Sequence, residues 1–295
     1  MAASETVAII GLGIMGGAIA RSLVKEGHAV RGFDLNPECM AALTGAGGTA
    51  ASSALEAAQG AAVVLTSLPS VGALDMTVTA LLAVPRAGLV VAELSTLPIP
   101  DKERCRDRLA AQGIAMLDCP LSGTGAQAAT GDLAVYASGE RAGYDRAEPV
   151  FRHFARACHY LGAFGNGSRM KFVANLLVAV HNVASAEAMV LGIKAGLDPD
   201  MIVKVIGSGA GTSRVFELRA PLMAKRAYRP PTMKIDVWQK DMAIIGAFAR
   251  SLGVETPTFS ATEAVYDAAQ RDGAGGDDTA AVCDLLEKRA GVKRP

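Results

Sequence analysis

The stretch "TVAIIGLGIMGGAIA" (residues 6–20) restricts the fold more than any other part of the chain. A short β-branched run enters G-x-G-x-x-G at Gly11, Gly13 and Gly16, and an apolar helical pattern leaves it. That succession is the first strand–turn–helix of a dinucleotide-binding domain: the glycines permit a tight turn, close approach of backbone to a pyrophosphate, and close packing of helix on strand. With Leu12, Ile14 and Met15 between them, residues 11–16 form one cofactor turn, and the helix N-terminus faces the diphosphate. A lone match of this kind is weak. Here a second candidate strand, "AVRGF" (29–33), ends at Asp34, eighteen residues past Gly16, where a carboxylate can accept from the ribose hydroxyls. The same carboxylate repels a 2′-phosphate, and "LNP" after it supplies no arginine to offset that, so NAD is expected over NADP. Arg31 is the side chain that could swing toward a phosphate.

A chain opened in this way continues as a parallel sheet with crossover helices. Further candidate strands are "AAVVLTS" (61–67), "GLVVAEL" (88–94) and "IAMLDC" (114–119), with helical patterns between them. After "ACHYLG" (157–162) the character changes: Ser168 can serve as an N-cap, and helical periodicity runs on to Ala195 before Gly196 and Pro199 stop it. At about 1.5 Å per residue such a helix is roughly 40 Å long. Every later segment reads as helix, while "DGAGGDD" (272–278) reads as a mobile loop. The expected fold is α/β: a Rossmann-type doubly wound sheet over 1–164, then an all-α domain over 165–295 joined by the long helix. Apolar stretches such as "MAIIGAFA" (242–249) are expected to be covered by symmetric pairing, as a homodimer or homotetramer.

Composition narrows the function. With 51% hydrophobic residues among 295, an enzyme-sized core is available. The 29 basic and 29 acidic residues balance, so no field holds a nucleic-acid backbone or an anionic membrane, and a small molecule is the expected partner. Glycines interrupt the apolar run "VAIIGLGIMGGAIA" and a short acidic stretch precedes it, so it is not expected to be a signal sequence. No span of about twenty apolar residues free of Gly or charge appears, so no membrane helix is expected. Cys39, Cys105, Cys119, Cys158 and Cys283 are odd in number and lack C-x-x-C spacing, which suits reduced cytoplasmic thiols. His28, His153, His159 and His181 show no ligand spacing, and no metal is expected.

Lys171 poses the question of chemistry. In "GNGSRMKFVANLL" (165–177) it stands near the start of the long helix, where the positive helix end disfavours a cation. Asn175, four residues on, shares its face, so an ammonium and an amide can address one small molecule. Desolvation can lower a lysine from about 10.4 toward the 7 to 8 useful for proton transfer. The plainer reading is a lysine that reaches solvent or pairs with a carboxylate. Asp118 reads as a strand-end structural carboxylate rather than a base.

Taken together, "GLGIMGGAIARSLVKEGHAVRGFDLNP", "ELSTLPIP", "DCPLSGTGAQAATGDLAVYASG", "GNGSRMKFVAN" and "WQKDM" resemble the β-hydroxyacid dehydrogenases. That group holds 3-hydroxyisobutyrate dehydrogenase and tartronate semialdehyde reductase, with 6-phosphogluconate dehydrogenase as a more distant cousin. The motifs run from Gly11 to Asp241, nearly the whole chain. The resemblance implies an NAD(P)-dependent oxidoreductase acting on the CH–OH group of a small β-hydroxy acid or its semialdehyde. It makes Lys171 the acid/base and Asn175 a substrate contact, with Ser122, Gly123 and the adjoining Thr124 at the substrate carboxylate. It places Leu68 and Pro69 at the cofactor edge, Ser95 and Thr96 beside the nicotinamide half, Lys240 as a cofactor contact and Asp241 as a lining residue.

Three positions depart from the family pattern: Ala174 where Asn or His is usual, Thr124 for the second Gly of S-G-G, and Glu93 for the Asp of D-x-S-T. In "GTSRVFELR", Arg214, Phe216, Glu217 and Arg219 are either pocket residues or a solvated face or dimer contact. Two other readings stand beside the dehydrogenase. One is an imine reductase or reductive aminase on the same scaffold, whose members usually replace the lysine; the other is a non-catalytic NAD-binding interaction protein, in which it would be lost.

Overall fold

The strands expected from the β-branched runs form where the runs lie, in a computed structural model that describes residues 6–83 and 88–294. The acidic stretch ahead of the first strand, residues 1–5, lies outside the described residues. Contacts divide the chain into two units, Met1–Lys171 and Phe172–Pro295.

In the first unit, β1 (Val7–Ile10), α1 (Ile14–Lys25), β2 (Val30–Phe33), α2 (Pro37–Gly45), β3 (Thr49–Ala50) and α3 (Ala54–Ala58) make the first half of the sheet and its covering helices. The second half is β4 (Val63–Thr66), α4 (Val71–Leu82), β5 (Val90–Glu93), α5 (Ile99–Ala110) and β6 (Ala115–Asp118). All neighbours pair in parallel, in the order β3-β2-β1-β4-β5-β6. The central runs are mostly apolar because both faces are covered: Val7, Ile9, Val63 and Leu65 enter one core, and Ala8, Ile10, Val64 and Val91 the other. Chain order reverses between β1 and β4, so the carboxyl ends of those strands form the crevice where an open α/β sheet takes its ligand.

A second sheet follows, built from β7 (Leu121–Ser122), β8 (Leu133–Ala137) and β9 (Ala155–Tyr160), with α6 (Gly125–Ala129) and α7 (Arg141–Phe151) between them. The hydrophobic pattern missed it, for β7 is two residues inside a glycine-rich turn and "ARACHY" of β9 buries only Ala155 fully.

The long helix α8 (Asn166–Lys194) begins before Ser168, with the Arg169 amide donating to the Gly165 carbonyl. Ser168 is therefore its third residue and not its cap, and Lys171 stands in the second turn. Its apolar window, of mean hydropathy 1.7, is long enough by length and composition to cross a membrane, as many core helices are. Within the second unit α8 buries Asn182, whose amide donates to the Tyr266 hydroxyl and the Thr279 carbonyl.

The second unit continues as α9 (Pro199–Gly207), α10 (Arg214–Lys225), α11 (Ile235–Ser251), α12 (Pro257–Ala269), a π-helical turn (Gln270–Ala274), a 3-10 turn (Thr279–Ala281) and α13 (Val282–Arg289). Residues 272–278 are pinned rather than free: Asp278 is buried and accepts from Arg219 at 2.8 Å and from the Thr232 and Ala280 amides, while Gly275 accepts from the Asp236 amide. Turn composition hid this, because the anchor is an arginine 59 residues away in sequence. The apolar face of "MAIIGAFA" is covered inside the unit, with Met242, Ile245 and Ala249 buried. Apolar side chains left exposed include Val173, Leu177 and Leu191 on α8, Leu197 after it, Met201 and Val205 on α9, and Val237, Leu252 and Val254 on or just after α11.

Candidate active site

The glycines of the opening turn have different tasks. A Cβ on Gly11, at φ +89°, would lie 2.1 Å from the Ser67 carbonyl oxygen, and one on Gly16 would lie 1.9 Å from that of Gly11. Both approaches are backbone on backbone, so these two glycines close the turn upon itself and against the end of β4. Gly13 differs: nothing lies within 4 Å of the place its Cβ would take, and the residue is exposed. The space beside Gly13 suits a pyrophosphate. The amide end of α1 has no side-chain cap and no acidic residue in its first turn, so it can meet an anion.

Asp34 follows β2 beside this turn. Its Oδ2 accepts from the Leu12 amide at 2.6 Å and its Oδ1 from the Asn36 amide at 2.8 Å, which fixes a carboxylate at the edge of the glycine turn. Arg31 is engaged elsewhere, donating to the Gln59 carbonyl at 2.7 Å. Backbone donors on one side and a ribose-side carboxylate on the other fit a dinucleotide.

Further along the sheet edge, the Ser95 hydroxyl accepts from the Leu68 amide at 2.7 Å, joining the loops after β4 and β5. Ser95 is buried, Thr96 half-buried and Pro69 exposed. Behind them lies a charged cluster that sequence reasoning missed. Lys102, in the first turn of α5, is fully buried and donates to the Ser95 carbonyl and to Asp118 Oδ1, both at 2.7 Å. It also lies 2.6 Å from Glu93 Oε2. Burial disfavours its ammonium, but Asp118 and then Glu93 outweigh that and hold it above the ordinary lysine range. Losing the lysine of such a cluster costs about 3–5 kcal/mol, since buried carboxylates are left uncompensated. The signal in the sequence was Glu93 in place of the family's Asp, with a lysine at the predicted start of the next helix.

Asp118 carries this cluster to α8. Its Oδ2 accepts from the Ser168 amide and its Oδ1 from the Ser168 hydroxyl, each at 2.7 Å. Ser138 spans the same gap, donating to Asp118 at 3.3 Å and accepting from the Gly167 amide at 2.9 Å. The Asn166 amide goes to the Ala163 carbonyl, so every amide of the first turn has its partner, and Asp118 does the work of an N-cap from another strand. Lys171 follows Ser168 by three residues and is only 9% exposed.

Ser122 pairs with Ala134 across β7 and β8, and Gly123 takes φ +131° where a Cβ would meet the Leu133 side chain at 2.6 Å. Thr124 is the N-cap residue of α6, its amide donating to Gln127 Oε1 at 3.0 Å. A Cβ on Gly125 would lie 2.4 Å from Ile14, so this turn packs directly on the glycine turn. In the second unit, Asn175 is buried and donates to Asp241 Oδ2 at 3.1 Å, and Asp241 in turn lies 3.5 Å from Lys240. Phe216 is a core residue, Arg219 is buried against Asp278, and Arg214 pairs on the surface with Glu217.

Residues 6–162 match the family described as the NAD binding domain of 6-phosphogluconate dehydrogenase. Residues 165–286 match that described as NAD-binding of NADP-dependent 3-hydroxyisobutyrate dehydrogenase. The chain is 36% identical over 287 residues to the L-threonate dehydrogenase of Cupriavidus necator, covering 96% of each. It is 31% identical over 260 residues to the 3-hydroxyisobutyrate dehydrogenase of Pseudomonas aeruginosa, covering 85% of this chain and 87% of that one. Among solved structures, a 3-hydroxyisobutyrate dehydrogenase from Salmonella typhimurium aligns with a TM-score of 0.87 at 31% identity, covering 96% of this chain and all of the other.

Proposed function

The chain belongs to the β-hydroxyacid dehydrogenase family and transfers hydride between NAD(P) and a small hydroxy acid; within that activity we propose that Lys171 is the general acid/base and that NAD is the preferred dinucleotide. The observation that carries the assignment is the anchoring of α8: a helix start held by Asp118 sets a buried lysine one turn further on. NAD, when bound, accepts the hydride. In the oxidation direction the neutral Lys171 amine takes the hydroxyl proton as the C–H bond gives up its electron pair; in reduction the ammonium returns it. Ser122 and the Gly123 amide are assigned to the substrate carboxylate, and Asn175, on the Lys171 face of α8, to substrate orientation. Leu68, Pro69, Ser95 and Thr96 are assigned to the nicotinamide side.

The substrate we infer is a short, hydroxylated carboxylic acid. Threonate is the first candidate, because it is the acid named for a relative at 36% identity, and it carries hydroxyls both α and β to its carboxylate. NADH formation should be followed with threonate, 3-hydroxyisobutyrate, serine and 2-(hydroxymethyl)glutarate, the acids named for relatives. Turnover is expected with at least one of them. Failure with all four in both directions would remove the substrate class.

For the cofactor, Asp34 supports a preference of at least about tenfold for NAD in kcat/KM, about 1.4 kcal/mol. Arg31 donates to the Gln59 carbonyl, so a 2′-phosphate would have to compete with that bond for it. Equal or reversed preference would show that Arg31 leaves Gln59 for the 2′-phosphate. For assembly, the exposed apolar residues of α8 and α9 support a homodimer or homotetramer. Light scattering at micromolar concentration is expected to give a multiple of the 30.3 kDa chain mass, and a strictly monomeric mass would end that reading.

A further inference from the structure

We propose that Lys102 is a positioning residue for hydride transfer: by holding the Asp118 carboxylate in place, its ammonium fixes the start of α8 and with it the position of Lys171 one turn on. This rests on Lys171 being the acid/base.

The argument starts from strand register. Glu93 and Asp118 are register partners at the ends of β5 and β6, so two carboxylates lie side by side with neither exposed. Parallel pairing leaves them no way apart. Lys102 donates to Asp118 and to the Ser95 carbonyl and lies in ion-pair distance of Glu93, so one ammonium ties three segments of the sheet edge together. Two anions and one cation leave one negative charge in excess. The amide end of α8 faces that excess, through the Ser168 amide and hydroxyl on Asp118 and the Gly167 amide on Ser138.

Without Lys102, Asp118 faces Glu93 alone. With no cation between the two carboxylates, their repulsion displaces the Asp118 oxygen that accepts from the Ser168 amide. The start of α8 then has one anchor fewer. Lys171, one turn on, moves with it, and a shift of about 1 Å in a reacting group can cost up to a hundredfold in rate. The glycine turn and Asp34 take no part in this cluster, so the adenosine and diphosphate end of the dinucleotide should be spared, whereas Lys102→Met also releases the Ser95 carbonyl on the nicotinamide side.

The test compares Lys102→Met and Asp118→Asn in the full chain, each alone and combined with Lys171→Ala, reading kcat, KM for NAD and thermal midpoint with threonate or the acid that ranks first in the substrate screen. Asp118→Asn leaves the Glu93–Lys102 pair neutral and therefore carries the test if Lys102→Met does not fold. The expected result is a loss of about tenfold or more in kcat for either variant, with KM for NAD within about twofold in Asp118→Asn, which keeps Lys102 on the Ser95 carbonyl. In the Lys171→Ala background the same substitutions are expected to change the residual rate by no more than about twofold, because there is no amine left to misplace. Wild-type kcat in Asp118→Asn, or equal losses in both backgrounds, overturns the proposal and leaves the cluster purely structural. If Lys171→Ala itself keeps its turnover, the acid/base reading fails instead, and the two failures are told apart by that single variant.

Discussion

Lys171→Ala is expected to lower turnover about a hundredfold or more, close to 2.7 kcal/mol of transition-state stabilisation, while NAD affinity stays near that of the wild type. The magnitude is what loss of general acid/base help removes. The dinucleotide contacts assigned to the glycine turn and Asp34 lie on other elements, at the ends of β1 and β2, and α8 keeps its own anchors on Asp118 and Ser138. Stability should change little. Alanine is the better helix former, and Lys171 stands in the second turn of α8, beyond most of the reach of the helix dipole, so neither loss nor relief of a dipole contact is large. A thermal midpoint within about 3 °C of the wild type corresponds to less than roughly 1 kcal/mol for a chain of this length. A lysine that serves only packing gives the opposite pattern, a lowered midpoint with turnover within a few fold. Measuring NAD affinity, midpoint and turnover on one variant therefore separates the two. Asn175→Ala should weaken substrate affinity and turnover together, since an amide can orient the acid but cannot carry its proton.

What was legible in the sequence followed from short-range rules. The parallel sheet announced itself because "VAII", "VVLT" and "VVAE" are buried on both faces and are apolar except where Thr66 and Glu93 close two of them at their carboxyl ends. Asp34 could be placed because the spacing from Gly16 is set by one helix and one strand. The Glu93–Lys102–Asp118 cluster was not legible in that way. Each member alone breaks the rule that charge stays outside, and they become tolerable only together, through a register between β5 and β6 that no local pattern states. The misplaced cap at Ser168 has the same origin. A serine just before an apolar periodic run is a sound N-cap signal, but here the acceptor comes from Asp118, fifty residues earlier, and the helix starts sooner than its own sequence suggests. Asp278 holding "DGAGGDD" through Arg219 repeats the lesson in the second unit. Composition marks a loop, and only tertiary pairing decides whether it is fixed.

The glycine turn provides the second large effect, because its members can be separated. Gly13→Ala puts a methyl where nothing lies within 4 Å, at φ −61° and ψ −158°, on the edge of the extended region. The fold is expected to survive, at the cost of about 1 kcal/mol or less for a poorer N-cap residue. If the pyrophosphate meets the α1 amides at this point, the methyl occupies the space it needs, and NAD affinity should fall by about tenfold or more, or 1.4 kcal/mol. Gly16→Ala acts on the fold instead. Its methyl would lie 1.9 Å from the Gly11 carbonyl oxygen, with the Ser67 side chain at 3.3 Å behind it, so α1 must move off β1 and β4. Overpacking against backbone costs about 1–3 kcal/mol or more, and a fall in thermal midpoint of at least about 5 °C is expected, accompanied by loss of NAD binding. Calorimetric titration with NAD and a thermal melt on both variants give the comparison. Gly13→Ala binding NAD as tightly as the wild type would move the pyrophosphate away from this turn, whatever Gly16→Ala does, because only the first substitution tests the ligand without disturbing the strand beneath it.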